Sequence, residues 1–343
     1  MSNLATIMNM AGSSGLSVSN LFSTYLYEGN GSTQTITNGI DLAGEGGLVW
    51  IKNREAAYHH HWYDTERGIY KYLQSSSTAA EISETDTLTS FNSDGFSLSS
   101  DIDVNRSAQG NASWTFRKAP KFFDIVTYSG NGTAGRTISH NLGSRPGMII
   151  VKRTDTTGYW PLYHRGVYSF DSDGALQINN TAPSTSFAGG AYFGTGSGNV
   201  VQPTDSVFTV GSDYNTNASG GSYVAYLFAH NNGDADFGPT GDQDIIKCGS
   251  FTSGSSGEVE VDLGFEPQWI LIKGIDIAQD WTIVDKKRGW ESGNNQQVLF
   301  PNKNNAETAS SQNLVNSTPT GFENYLTYLG GGNSYLYVAI RAA

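Results

Sequence analysis

The chain has 343 residues, of which 20 are Lys or Arg and 32 are Asp or Glu, giving a formal net charge of −12. An acidic chain repels phosphate backbones and anionic headgroups, which argues against nucleic acid and membrane surfaces as partners. Only 15% of the residues are charged, 12% are aromatic and 41 are glycine, a composition that excludes disorder over the whole length. The single cysteine, Cys248, excludes an intramolecular disulfide, and no apolar run approaches the ~20 residues needed for membrane insertion.

The N-terminal segment, residues 1–20, has no counterpart in the rest of the chain. Its apolar run at residues 4–10 predicts a short helix that ends at Gly12. We expect this arm to dock on a partner, and a frayed end is the alternative. The candidate docking residues are Leu4, Ile7, Met8 and Met10.

The remainder of the chain repeats itself three times. Three strand-like apolar runs end in lysine, at Lys52, Lys152 and Lys273. After each run come a polar turn, a tryptophan and an Arg-Gly pair, the tryptophans being Trp62, Trp160 and Trp281. The closing strand of each segment aligns as well, with equal spacing of Phe116, Phe228 and Ile340. Landmarks in fixed order predict three homologous domains at 21–119, 120–231 and 243–343, with a linker at 232–242.

Within each repeat the hydrophobic period is two. Residues 258–263 alternate strictly between acidic and apolar, which predicts a strand with one wet face and one buried face. The lysine-ended runs are continuously apolar, as is typical of central strands covered on both faces. Asn-Gly and Asp-Gly pairs recur at short intervals and favour hairpin turns. The expected fold is all-β, with three tandem β-sandwich (jelly-roll-like) domains and the short N-terminal arm.

Three motifs suggest chemistry, and each has a simpler interpretation. Residues 130–135 match the dinucleotide pattern G-x-G-x-x-G, but a strand-like segment follows where a helix would be needed, so a hairpin turn is the better interpretation. The histidines at 59–61 would point alternately to opposite faces of a strand and could not converge on one metal ion. Asp64 and Glu66 beside Trp62 resemble a glycosidase pair, but the second repeat has Tyr163-His164 at this point and the third has Asp285 followed by two lysines, so the pair of acids is not shared. We therefore predict no catalytic residue, no cofactor and no metal.

Carbohydrate binding is a stronger alternative, because the chain has 7 Trp and 18 Tyr among many Asn and Asp residues. Exposed aromatic rings beside amide and carboxyl groups suit the stacking and hydrogen bonding of sugars. The aromatics that follow the polar turns are expected to be exposed, and they are the candidate glycan contacts: Trp62, Tyr63, Tyr159, Trp160 and Trp281.

Several stretches resemble a known repeat. Residues 29–36, 46–54, 64–68, 91–98 and 114–152 are similar to a repeat found in virion structural proteins of tailed marine phages, including those of cyanobacteria. The similarity covers the first two repeats well, whereas the third departs from it at residues 265–268. The resemblance implies a tail, fibre or head-associated particle component without enzyme activity, and it assigns no functional residues.

These observations together lead to the expectation of a non-enzymatic virion structural protein, in a tail, a fibre or another appendage on the particle surface. The alternatives are a receptor-binding module that recognises a host-surface glycan, and a capsid decoration protein. The expected partners are other virion proteins, further copies of this chain in a homo-oligomer and, in the second case, a host cell-surface glycan.

Overall fold

The computed structural model describes residues 15–167, 174–186, 188–196, 200–290, 296–309, 314–324 and 329–343. The candidate docking residues lie outside these ranges: Leu4, Ile7, Met8 and Met10. The regular structure of the described chain is mainly antiparallel β-sheet, with only short helical turns, so the predicted all-β fold is confirmed. No described helix is both long and apolar enough to cross a membrane.

The strands fall into three successive units. The first unit contains β1 (Phe22–Glu28), β2 (Gln34–Thr37), β3 (Gly47–Asn53), β4 (His61–Asp64), β5 (Lys71–Gln74), β6 (Ile82–Ser83), β7 (Leu88–Asn92), β8 (Gly95–Leu98) and β9 (Gly110–Arg117). The second contains β10 (Phe123–Ser129), β11 (Arg136–Ser139), β12 (Met148–Arg153), β13 (Pro161–His164), β14 (Leu176–Gln177), β15 (Val207–Val210) and β16 (Ser222–Phe228). The third contains β17 (Ile246–Thr252), β18 (Val259–Asp262), β19 (Pro267–Gly274), β20 (Thr282–Asp285), β21 (Gln297–Val298), β22 (Thr308–Ala309), β23 (Asn316–Thr318), β24 (Gly321–Asn324) and β25 (Ser334–Arg341).

The described helices are single turns that connect these strands. They are α1 (Val18–Leu21), α2 (Leu42–Glu45), α3 (Ile102–Asn105), α4 (Gly189–Phe193) and α5 (Tyr214–Asn217), with 3₁₀ turns at Ser184–Ser186 and Lys286–Arg288. The α3 and α5 turns begin after an aspartate whose carboxylate accepts a backbone N–H of the first turn, Asp101 and Asp213 respectively. This is the standard way to satisfy a helix N-terminus.

The same strand order recurs in the three units. The main sheets have the orders β1-β9-β3-β4-β5-β6, β10-β16-β12-β13-β14 and β17-β25-β19-β20. A small sheet accompanies each of them, with the orders β2-β8-β7, β11-β15 and β18-β24-β23. In every unit the first strand pairs with the last, and the last pairs with the lysine-ended strand. The sequence repeats therefore correspond to repeats of strand pairing.

The lysine-ended strands are buried on both faces, as their continuous apolar runs predict. All seven residues of β3 are buried. Val49 and Ile51 point into the apolar cluster of their own unit, whereas Leu48 and Trp50 belong to a second cluster. The third unit divides in the same way, with Ile270 in its own cluster and other β19 residues in the shared one. In these two units, one face of the main sheet is covered by the unit's own small sheet and the other by the neighbouring units.

This second cluster is a shared core to which all three units contribute. The Phe116 ring lies 5.4 Å from that of Phe228 in the second unit and 5.8 Å from that of Trp269 in the third. Phe22 also packs against Trp269, at a centroid distance of 6.0 Å. The segment predicted as a linker contributes too, because Ala235 and Phe237 are buried in the shared core.

Backbone hydrogen bonds close the three units into a ring. In each bond, a backbone N–H of one unit donates to a carbonyl of another unit, and this carbonyl lies two residues after the repeated lysine. The bonds join Glu81 N to Thr154 O (2.9 Å), Ser184 N to Ile275 O (2.7 Å) and Glu307 N to Arg54 O (2.7 Å). The first unit donates to the second, the second to the third, and the third back to the first. The order is cyclic, so no unit stands at a free end of a row.

Buried charges reinforce two of the three junctions. The Asp64 carboxylate binds the Arg67 guanidinium at 2.5 Å and accepts the Tyr226 hydroxyl of the second unit at 2.8 Å. In the third unit the Asp285 carboxylate binds Arg288 at 2.5 Å and accepts the Trp114 indole N–H of the first unit at 3.0 Å. Each aspartate thereby joins its own turn to the last strand of another unit.

The repeated lysines are themselves buried, and their ammonium groups donate to backbone carbonyls of the polar turns. The acceptors are Asn53 and Ala56 for Lys52, Thr78 and Gly158 for Lys152, and Gly274 and Ile277 for Lys273. Burial lowers the pKa of Lys52 to about 8, that of Lys152 to about 7 and that of Lys273 to about 8. The lysines hold the backbone of the turns in place, although burying their ammonium groups disfavours the charged form.

We predict that the protein becomes more stable between pH 7 and pH 9. In that range the unfolded lysines keep their protons, while the buried ones release theirs, so the unfolded chain binds more protons and raising the pH favours folding. The free energy of unfolding should rise by about 1 kcal/mol per lysine. Urea unfolding at several pH values measures this slope. Lys152→Met should reduce it and Lys71→Met, at an exposed lysine, should not; a flat profile for the native chain would contradict the prediction.

We also predict that Asp64→Asn destabilises the protein by about 3 kcal/mol, because it leaves the buried Arg67 without its closest counter-charge. Glu66→Gln is the matched control, since Glu66 pairs with Lys118 near the surface and exposed pairs contribute about 1 kcal/mol or less. Urea unfolding at pH 7 compares the two variants. Equal effects would show that Asp64 has no special structural role.

Candidate functional site

Four of the five predicted glycan contacts are inaccessible. Trp62, Tyr63, Trp160 and Trp281 are each at most 1% exposed, so the expectation that they lie on the surface is wrong. The Trp62 ring packs between Trp50, Trp160 and Tyr226 at centroid distances of 4.5 to 5.4 Å. The three tryptophans follow polar turns, as the sequence indicated, but their rings point into the junctions and contact another unit.

The indole N–H groups of the two equivalent tryptophans bind across the junctions. Trp160 donates to the Ser77 carbonyl of the first unit at 2.9 Å, and Trp281 donates to the Gln177 carbonyl of the second at 3.0 Å. They hold the ring together and have no capacity left for a ligand.

The strand register also corrects the alignment of the repeats. β4, β13 and β20 pair with the lysine-ended strands so that His60 occupies the position of Trp160 and Trp281. The His60 Nδ1 atom accepts the Trp50 indole N–H at 2.9 Å. Burial lowers the pKa of His60 well below its usual value, while the nearby Phe300 carbonyl of the third unit raises it by less. His60 is therefore a neutral junction residue.

The remaining motifs have structural roles in the described chain. Asp64 is buried against Arg67, so it is not a free catalytic acid. Among the described residues, no three His, Cys, Asp or Glu side chains converge in a way that could hold a metal ion. The glycine-rich segment at 130–135 is followed by strand β11 and not by a helix. It closes no hairpin, because β10 and β11 belong to different sheets.

That glycine-rich turn is held by a buried asparagine. The Asn217 amide donates to the Asn131 side chain, the Thr133 carbonyl and the Gly211 carbonyl at 2.8 to 3.1 Å. Asn105 holds the equivalent turn of the first unit in the same way. Both asparagines end a helical turn, α5 and α3 respectively, so these two turns occupy equivalent places in the fold.

Tyr159, the fifth predicted contact, is 49% exposed and lines a groove of about 310 Å³. Tyr214, the first residue of α5, is also 49% exposed and lines the same groove. The rest of the lining is polar and uncharged, and consists of Thr78, Thr157, Gly158 and Asn215. Thr78 comes from the first unit, so the groove lies across a junction.

Several contacts fix the two tyrosines. The Asn215 side-chain oxygen accepts the Tyr159 backbone N–H at 2.8 Å, which ties the two aromatic segments together. The Arg153 guanidinium stacks on the Tyr214 ring at 4.2 Å and is itself held by both oxygens of Asp155, at 2.8 and 2.9 Å. Arg153 accordingly lowers the pKa of Asp155 to about 2. Such a groove is preformed and therefore suited to binding.

The groove offers recognition and little acid–base chemistry. Its lining contains hydroxyl, amide and aromatic groups, but no carboxylate, histidine or lysine side chain. A second cleft between the first two units, of about 590 Å³, is charged. Its charges neutralise one another, because Glu81 lies 3.2 Å from Arg67 and 3.5 Å from Lys71. Of the two, the tyrosine groove is the stronger candidate site.

The fold and the groove define an all-β protein in which three repeat units form a closed ring that carries a preformed, uncharged groove on its surface. A family model described as a domain of unknown function (DUF7483) matches residues 17–342, and the chain belongs to this family. The match extends over all three units, in agreement with their shared core. A search of the curated proteins and a search of the solved structures found no match.

Sequence reasoning missed Tyr214, although a signal was present. The stretches Asp101–Asn105 and Asp213–Asn217 share the pattern Asp-x-Asp/Asn-x-Asn, which aligns α3 with α5. The exposed second residue of this pattern is Ile102 in one unit and Tyr214 in the other.

We predict that Trp62→Ala destabilises the protein by about 3–5 kcal/mol, as expected for loss of a large buried ring. Tyr159→Ala should change the free energy of unfolding by less than about 1 kcal/mol, because Tyr159 is half exposed and its backbone contact to Asn215 remains. Urea unfolding of both variants checks the assignment. If Trp62→Ala lowered the free energy of unfolding by less than about 1 kcal/mol, Trp62 would not be a core residue and would again be a candidate ligand contact.

Proposed function

We propose that the chain is a non-enzymatic structural protein of a tailed-phage virion, located in a tail, a fibre or another appendage on the particle surface. The resemblance of the first two repeats to virion proteins of marine phages supports this proposal. So does the low charge of the chain, 15% of residues, with abundant glycine. A surface of this kind suits a particle component that has to remain folded outside a cell.

The observation that carries the proposal is how the protein uses its most reactive side chains. An enzyme needs acids or bases that are free in a cleft. Here Asp64 and Asp285 hold buried arginines and join units, and the three repeated lysines bind backbone carbonyls. The two aspartates join units and the lysines hold backbone turns, and both are structural tasks.

The proposal includes assembly with other virion proteins and with further copies of the chain. The N-terminal arm, with Leu4, Ile7, Met8 and Met10, is the proposed docking segment, and these residues lie outside the described part of the chain. The polar, weakly charged surface of the ring is compatible with hydrogen-bonded contacts in a homo-oligomer.

We predict that antibody-gold raised against this chain labels intact particles of the phage that encodes it. Label on the tail or its fibres would support the appendage assignment. Label over the head would instead make the chain a capsid decoration protein, the second virion role considered. Electron microscopy of purified particles reads out the position, with particles from an unrelated phage as the control. Intact particles without label, from a lysate that contains the protein, would contradict a virion role.

A further inference from the structure

We propose that the groove between Tyr159 and Tyr214 is a binding site for a neutral oligosaccharide. The two rings are each 49% exposed and line one groove together with hydroxyl and amide groups. The C–H faces of a sugar ring pack on aromatic rings, while its hydroxyl groups need polar partners at the edge of the stack. The groove offers both kinds of contact.

The fold does not need these two tyrosines, and the repeats provide the comparison. Counted from the repeated lysine, the equivalent of Tyr159 in the first unit is His59. At the second position of the aligned helical turn, Tyr214 corresponds to Ile102, which is 57% exposed. The same backbone therefore forms with other side chains, and the aromatic pair is a feature of the second unit that folding leaves unexplained.

The charges in and around the groove favour a neutral ligand. None of the six lining residues carries a formal charge at pH 7. The nearest guanidinium, that of Arg153, is neutralised by Asp155 through two hydrogen bonds and lies against the Tyr214 ring. The chain as a whole carries a net charge of −12 and would repel an acidic polysaccharide or a nucleic acid.

The size and stiffness of the groove favour a short ligand segment. A volume of about 310 Å³ lies at the lower end of the range for small-molecule sites. Asn215 fixes the spacing of the two aromatic segments through the Tyr159 N–H, and its own amide group donates to Asp213 at 2.9 Å. Since the Tyr214 ring stacks on Arg153 and the Tyr159 backbone is bound to Asn215, binding would cost little ordering. Affinity for one site should be modest and would increase if several copies bind one polymer.

The inference concerns the isolated chain and does not rest on the virion proposal. Gold labelling locates the protein on a particle, whereas sugar binding is measured on the purified chain, so either result can fail alone. If both hold, the groove would be a host-adsorption site of the particle.

The purified full chain should be screened against a panel of neutral oligosaccharides built from glucose, galactose, mannose and N-acetylglucosamine, with sialylated and sulfated glycans alongside. We expect binding to at least one neutral glycan. Isothermal titration with that glycan should then show that Tyr159→Ala and Tyr214→Ala each weaken binding at least about tenfold. The matched control is Ile102→Ala, at the equivalent exposed position, and it should bind as the native chain does.

Thermal unfolding of each variant checks that the fold is kept, and Tyr159→Phe, which retains the ring, should preserve most of the affinity. Binding that survives both alanine substitutions would overturn the proposal. So would a panel in which no neutral glycan binds, or in which only acidic glycans bind in a salt-sensitive manner.

Discussion

Each unit of this protein makes a main sheet with two apolar faces but has only one small sheet to cover them, and the rest of the structure depends on that imbalance. Leu48 and Trp50 in the first unit, and Trp269 in the third, extend from the uncovered faces into the shared core. Exposing such faces to water would cost roughly 25 cal/mol for each Å² of apolar surface. A cyclic arrangement covers all three faces at once, because each unit donates to the next and the last donates to the first.

From one junction to the next, the buried polar side chain changes together with the residue that faces it from the closing strand. Trp114 and Tyr226 occupy equivalent positions in the closing strands, and each donates to a buried aspartate of another unit. The third unit has Val338 at this position, which has no donor to offer. The group facing it is His164, whose pKa burial lowers to about 3 and whose Nε2 atom lies 3.1 Å from the Tyr337 carbonyl. A buried aspartate without a donor would be costly, and a neutral histidine that bonds to the backbone avoids that cost.

The sequence predicted the strands, the repeats and the buried lysine-ended runs, because period and landmark order are local properties. It could not predict which surfaces one unit covers on another. Trp62, Trp160 and Trp281 follow polar turns and look exposed by every local rule, but all three are buried at junctions. Aligning the tryptophans also misplaced the first unit by two residues, since His60 fills the place that strand register assigns to Trp160. The pairing of β4 with β3 shows this, and so does the spacing from the repeated lysine, which lies eight residues before His60, Trp160 and Trp281.

Comparing equivalent positions in the repeats separates the residues that the fold requires from those that it leaves free to vary. The aspartate that begins α3 and α5 and the asparagine that ends them are present in both turns, and both have partners that hold the backbone. The residue after the aspartate is about half exposed in both turns, so burial in the core does not select it. A tyrosine at this position, beside a second tyrosine from the junction loop and above a neutralised arginine, makes a stiff aromatic surface where the equivalent unit has Ile102. Asp64 and Asp285 join units and the repeated lysines hold backbone turns, so these charged groups serve the fold. The groove, in contrast, presents two half-exposed rings beside hydroxyl and amide groups, which suits it to binding a ligand.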